Sequence, residues 1–237
     1  MLRMGDSASR PTFCSMPSDD PKIYYKRHLP HYQLSNVTYF VTIRLAGSLP
    51  RQVIQKLQEE ALYIEKKLKS ISNLNEMERQ RLEFAEQQSQ KFNDLLDSSK
   101  VGQFWLGENK IAKAVAEAIH HRHNKDYDLI CFSIMPNHLH LIFGTISDIR
   151  TSTNHDAPVF PLQIILESLK KFSARECNKL LNRTGAFWQH ESYDHIIRSQ
   201  KELDDSILYV LNNPVKIGLV SNWQDWRWNY LNPKITL

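Results

Sequence analysis

Cysteine is scarce in this chain. Cys14, Cys131 and Cys177 lie far apart, are odd in number and form no Cys-x-x-Cys pair. That excludes a disulfide framework and a zinc finger and points to a reducing, cytosolic compartment. Cys131 and Cys177 sit in apolar patterns and read as buried thiols. Long apolar runs are missing as well. No stretch of about 18 apolar residues could cross a bilayer as a helix, and the first residues lack a signal-peptide apolar core. Neither sign of charge dominates. Thirty Lys and Arg against 26 Asp and Glu leave +4 at pH 7, and the pI of about 8.9 favours an anionic partner only mildly. Hydrophobic residues at 41% and charged residues at 24% of 237 are ordinary for a globular chain. One domain, or one domain carrying an insertion, is expected.

Residues 1–21, rich in Ser, Pro, Asp and Met, read as a flexible leader. The folded domain is expected over 22–231, followed by a short tail, 232–237. The run from Val37 to Leu45 is rich in β-branched and aromatic residues and predicts a strand. Ile54, Leu57, Ala61, Ile64, Leu68 and Ile71 then follow a heptad seam, and Leu82, Ala85, Ser89, Phe92 and Leu96 resume it after a break at Ser72–Asn75. This predicts an inserted helical hairpin over 51–98, packed on itself or on the main domain, or forming a dimer seam. A helix is expected from Lys110 to His123, a central strand from Leu129 to Met135, and a second strand from His138 to Gly144 after a Pro136-Asn137 turn. Leu162, Ile165, Leu166, Leu169, Phe172, Ser173 and Cys177 define an amphipathic helix. A strand over 192–198 and a helix opened by the capping box Ser199–Glu202 complete the order. Pro214 is expected to end that helix near Asn213. The fold class is α+β: a βαββαβ split arrangement with an extra C-terminal helix.

His138-Leu139-His140 carries the chemistry. In a strand the two imidazoles share one face and Leu139 takes the other, so the pair forms half of a metal site. On the helix after Ser199, at about 100° per residue, Leu203, Ile207, Val210 and Leu211 cluster as the core stripe. Tyr209 falls roughly opposite, off the core, with Asn213 one turn later on its face and Asp205 one turn earlier. If this helix crosses the histidine hairpin, His138, His140 and Asn213 hold one divalent ion, Mg²⁺ or Mn²⁺, beside Tyr209. Such a site suits attack of a tyrosine oxygen on a phosphodiester, giving a 5′-phosphotyrosine and a free 3′-OH.

Met135-Pro136-Asn137-His138-Leu139-His140-Leu141 resembles the His-hydrophobic-His motif of single-tyrosine HUH transposases, and more specifically of the REP-associated tyrosine transposases. Supporting blocks appear in the expected order: Tyr39-Phe40-Val41-Thr42, the run from Ser168 to Arg175, Phe187-Trp188-Gln189, the run from Ser192 to Arg198, and Tyr209 to Gly218, with a Trp-rich close from Trp223 to Trp228. The resemblance implies a ferredoxin-like core with an antiparallel sheet, the HUH nuclease fold, with the histidines on a central strand and the tyrosine on a late helix. It implies binding of single-stranded DNA stem-loops and cleavage beside the hairpin, by a monomer or homodimer, in the cytoplasm at the nucleoid. Tyr209 matches the family nucleophile, and His138 and His140 match its metal ligands. Asn213 stands at the polar position one turn after the tyrosine. The 51–98 insertion departs from the compact members.

Lys171, Arg175 and Lys179 form a basic stripe at i, i+4, i+8, read either as phosphate contacts on the helix beside the site or as a solvated face. Lys216, just past the tyrosine helix, and Arg198 are further DNA-binding candidates. Tyr193 is a rival nucleophile, better suited to core packing or base stacking, and His195 is a buried or DNA-facing residue. Trp188, Trp223, Trp226 and Trp228 read as packing, with one or two available to stack on unpaired bases. A hairpin-binding regulatory protein without turnover, and metal-assisted hydrolysis by water, are the rival functions.

Overall fold

The computed structural model describes residues 24–26, 30–32, 37–146 and 161–236. The expected leader, residues 1–21, and residues 147–160 lie outside the described residues. In chain order the elements are β1 (Tyr24–Lys26), β2 (Pro30–Tyr32), β3 (Thr38–Arg44), α1 (Arg51–Leu68), α2 (Leu74–Ser98), α3 (Asn109–His120), β4 (Tyr127–Ile134), β5 (His138–Thr145), α4 (Pro161–Leu180), β6 (Tyr193–Ile197), α5 (Gln200–Lys216) and β7 (Asn229–Leu231). β1 and β2 pair as a two-stranded ribbon, and the other strands form one antiparallel sheet in the order β6-β3-β5-β4-β7. The chain is α+β, with β3, α3, β4, β5, α4 and β6 in the order strand, helix, strand, strand, helix, strand. Among the described residues no helix is long and apolar enough to cross a membrane.

Strand alternation divides the core into two. Tyr39, Val41 and Ile43 of β3 and Leu139, Leu141 and Phe143 of β5 face α3 and α4, which bring Ile111, Val115, Ile119, Ile165 and Leu169. The opposite register sends Phe40 and Ile142 toward α5, whose Leu203, Ile207, Val210 and Leu211 form the stripe that the 3.6-residue period predicts. His138 and His140 share this second face. α3 and α4 therefore cover one side of the sheet, and α5 with the end of α2 covers the other.

Two elements differ from the sequence reading. α5 does not stop at Asn213: Pro214 lies inside it and the helix runs to Lys216. A proline so late removes one backbone bond, and Asn213 and Pro214 are both buried against the sheet, which offsets the local penalty. Phe172 is off the buried stripe of α4, 42% exposed, with the guanidinium groups of Arg122 and Arg175 5.5 and 5.6 Å from its ring.

α5 starts on a Ser199 N-cap, and the returning Glu202 carboxylate reaches one residue past the cap rather than to the Ser199 N–H of a regular capping box. Ser199 Oγ accepts from the Glu202 N–H at 3.1 Å, and Glu202 Oε2 accepts the Arg198 N–H at 2.7 Å. Ser199→Ala should cost about 1 kcal/mol, lowering the melting temperature by about 2–4 °C. A thermal melt checks it, and an unchanged midpoint would show that the cap is idle.

α1 and α2 form the expected antiparallel hairpin, joined across the seam by a Lys91–Glu60 ion pair. The seam residues Ile54, Leu57, Ala61 and Ile64 are only half-buried, because each helix offers the other one wall; Leu96, where α2 meets the body, is buried, and so is Leu68 at the far end of α1. The hairpin leaves and rejoins the body at one place. Ser99 Oγ donates to the Ser48 carbonyl at 3.2 Å. Gly102, at φ +101°, approaches Gly47 so closely that a Cβ on it would lie 2.4 Å from the Gly47 carbonyl oxygen.

Candidate metal and nucleophile site

β5 is a central strand, and its register with β3 sets His140 opposite Thr42 and His138 opposite Arg44. Both imidazoles are fully buried, yet both carry their protons on the outer nitrogen. Thr42 Oγ1 donates to Asn93 Oδ1 at 3.2 Å, so toward His140 Nδ1, 3.0 Å away, it acts as acceptor. His138 Nδ1 lies 2.7 Å from Asn137 Oδ1, an acceptor, while the Asn137 amide donates to the Leu96 carbonyl at 2.9 Å. Both Nδ1 atoms therefore hold hydrogens, and both Nε2 atoms present lone pairs to each other at 3.0 Å. Two acceptors in that relation need an electrophile. Neighbouring ligands on one ion, about 2.1 Å from it, stand about 3.0 Å apart in an octahedron. Burial lowers both histidine pKa values, His138 to about 3, and the nearby Lys216 charge adds to the effect. Both rings are thus held in the neutral form that ligates metal.

α5 brings the other two candidates. Asn213 Nδ2 donates to His140 Nε2 at 2.9 Å, while its Oδ1 is buried with no hydrogen-bond partner. The amide therefore touches the histidine pair, and turning it end for end offers an oxygen there. One helical turn earlier, the Tyr209 ring packs edge-on against His140 at 5.6 Å and Phe40 at 6.1 Å. Its hydroxyl is also buried without a partner. The off-core placement read from the helical wheel is thus corrected. Tyr209 leaves the apolar stripe but does not face water, because the end of α2 closes over that side of α5. Burial first, and then the charges of Asp97 and Asp94, push its phenol pKa up.

Sequence reading did not single out Asp97. Its side chain is 4% exposed, and Oδ1 lies 3.6 Å from His138 Nε2 with no hydrogen-bond partner, while Oδ2 accepts from Lys216 at 3.0 Å. Burial raises its pKa against the lowering effects of Lys216 and of the neighbouring Asn213 amide. Asp97, His138 and His140 place their ligand atoms within 4.8 Å of one another, a group able to hold a metal ion. The only sequence signal was the spacing of Asn93, Leu96 and Asp97 on one face of α2 beside a buried seam position.

The remaining candidates scatter. Lys216 lies within the last turn of α5, not past it, held by Asp94 at 2.6 Å and Asp97, with its Nζ 5.6 Å from the centre of the Tyr209 ring. Lys171, Arg175 and Lys179 are exposed on α4, across the sheet from the histidines rather than beside them, and Arg175 and Lys179 pair with Glu176. Both crossover helices of a split βαβ pair take one face, which leaves the other to α5. Arg198 follows the β6 end that pairs with Thr38, roughly 13 Å along β3 from the histidines. Tyr193 donates to the Ala85 carbonyl at 2.7 Å and stacks on Phe92, a packing role. His195 bonds Glu202. Trp188 and Trp226 are tied by their indole N–H groups to Ser173 Oγ and the Ile134 carbonyl.

No family model matches the chain. A Haemophilus influenzae protein named "Putative REP-associated tyrosine transposase" is 26% identical over 105 residues, which cover 42% of this chain and 56% of that protein. The chain is similar to the REP-associated tyrosine transposases. A second H. influenzae protein, described as uncharacterized, is 30% identical over 99 residues, 35% of this chain and 52% of its own length. The chain thus spans about half the length of these two relatives. A solved structure titled "Structure of the REP associates tyrosine transposase bound to a REP hairpin" overlaps 86% of this chain and 80% of that one, with a TM-score of 0.43 and 16% identity.

Proposed function

We propose that this chain is a metal-dependent, single-tyrosine DNA strand transferase acting beside hairpins in single-stranded DNA. The observation that carries the reading is the Asn213–His140 contact at 2.9 Å. It sets the Tyr209 face of α5 against the two converging imidazole lone pairs, in one buried compartment. His138, His140 and Asn213 hold a divalent ion, Mg²⁺ or Mn²⁺. When bound, it supplies polarisation of the scissile phosphate and neutralises developing negative charge.

Tyr209 Oη forms the new bond to phosphorus as the bond to the 3′-oxygen breaks. The phenol proton is lost to solvent and the departing 3′-oxygen takes one up, leaving a 5′-phosphotyrosine and a free 3′-OH. The raised phenol pKa keeps Tyr209 protonated in the closed site. Lys216, above the ring, is the cation positioned to favour the phenolate once its carboxylate partners yield. Lys171, Arg175, Lys179 and Arg198 serve as phosphate contacts for DNA that wraps away from the reacting centre. The domain is read as 22–231 with the 51–98 insertion within it, working in the cytoplasm at the nucleoid as a monomer or homodimer.

Complete burial of both histidines favours a second reading, hairpin binding without turnover. A denaturing-gel assay separates them. The protein is incubated with single-stranded DNA bearing hairpins from the flanks of its own gene, with Mn²⁺ or Mg²⁺. A covalent band lost with chelator supports strand transfer. Cut DNA without an adduct assigns attack to water, and tight binding with neither assigns a binding module.

A further inference from the structure

We propose that Asp97, carried by the inserted helical hairpin, is a carboxylate ligand of the same metal centre, so that the insertion forms one wall of the site. This rests on the reading that His138 and His140 bind metal, and it names a ligand which that reading lacks.

Three residues on one face of α2 meet the histidines, each in a different way. Asn93 takes the Thr42 hydroxyl hydrogen and thereby fixes His140 with its lone pair inward. The Leu96 carbonyl takes the Asn137 amide and so fixes His138 in the same sense. Asp97 then points its own oxygen at the pair, 3.6 Å from His138 Nε2. A ligating imidazole is normally held through its other nitrogen by just such an outer partner. Here one helix end supplies both outer constraints, so the placement of Asp97 belongs to a single construction.

Charge favours the same assignment. Two neutral imidazoles and a carboxamide leave a divalent ion uncompensated in a closed compartment, and burying such a charge is costly. The Asp97 side chain is 4% exposed, and its two oxygens are unequal: Oδ2 has Lys216, while Oδ1 is buried with no hydrogen bond in reach. An anionic oxygen is the ligand type that Mg²⁺ and Mn²⁺ prefer. The separations of 3.0 Å between the imidazoles and 3.6 Å to the carboxylate fall within the span of about 3.0–4.2 Å between ligands of one octahedral ion.

The test is Mn²⁺ binding to the full chain, followed by calorimetry and by the electron paramagnetic resonance signal of free Mn²⁺. Asp97→Asn and Asp97→Ala are compared with Asp94→Asn, which removes the other carboxylate on Lys216. Both Asp97 variants should weaken Mn²⁺ binding by more than about tenfold, with Ala the weaker, and Asp94→Asn should bind as the wild type does. Asp97→Asn gives up the ion pair with Lys216 and Asp94→Asn gives up the other one, so thermal melts of both metal-free variants are run beside the titrations to show that each is folded. Equal affinity in wild type and Asp97→Asn overturns the proposal while leaving the histidine site standing. Equal losses in Asp97→Asn and Asp94→Asn also overturn it, because they would trace the effect to anchoring of Lys216. No Mn²⁺ binding by wild type removes the metal reading altogether, and this proposal with it.

Discussion

Tyr209→Phe should eliminate the covalent protein–DNA adduct while leaving hairpin binding and the fold intact. The phenyl ring keeps its contacts with Phe40 and His140, so α5 has no reason to move. What is lost is one oxygen, the atom that would bond to phosphorus. That oxygen is buried and has no hydrogen-bond partner, so its removal breaks no bond and relieves a desolvated hydroxyl. An unsatisfied buried group costs about 1–3 kcal/mol, so the variant should be as stable as the parent or more stable by up to that amount. A core tyrosine with a purely structural hydroxyl would show the opposite, a lower melting temperature. The paired readout is an adduct gel and a thermal melt. An adduct that survives the substitution would reassign the nucleophile, and a fall of several degrees would mean that the hydroxyl was holding structure.

Gly102→Ala should be among the most damaging single substitutions in the chain, although it adds only a methyl group. Two effects act together. At φ +101° an L-residue is strained by about 1–3 kcal/mol. The added Cβ would also stand 2.4 Å from the Gly47 carbonyl oxygen and 3.0 Å from Ser48 Cα, backbone atoms that cannot swing aside. A loss of about 3 kcal/mol or more would follow, roughly 6–12 °C of melting temperature for a chain of this size. Because the shift must open the root of the α1–α2 hairpin, divalent-metal affinity should fall with it. Calorimetric melting and Mn²⁺ titration check both halves. A variant that melts within a degree of wild type would show that the close approach relaxes freely.

Local periodicity made much of this legible. Alternation along β5 placed His138 and His140 on one face, and the 3.6-residue period of α5 set Tyr209 and Asn213 one turn apart and off the apolar stripe. Those statements need only a strand and a helix. What failed depended on contacts between segments distant in sequence. The heptad seam of α1 and α2 says that the helices pack, but nothing in it says where the end of α2 docks, so Asp97 and the closure over Tyr209 were invisible. The basic residues of α4 follow a true helical stripe, but which side of the sheet that stripe occupies is a property of chain crossover, not of spacing. Pro214 was read as a stop because a proline weakens its own turn. The burial that keeps Asn213 and Pro214 helical comes from the sheet beneath them.

The rooted hairpin also has the mechanics of a lever with unequal arms. α2 is held to the body at Ala85 by Tyr193, at Phe92 by ring stacking, and again at its base. Beyond Ala85 the helix runs on for roughly 16 Å at 1.5 Å per residue, accompanied, among the described residues, by α1. Asp97 lies within the clamped short arm, beside the fulcrum. A displacement of the tip would therefore be geared down before it reaches the carboxylate, so the clamps and not the tip set the spacing between Asp97 and the imidazoles. To disturb that spacing the clamps themselves must let go.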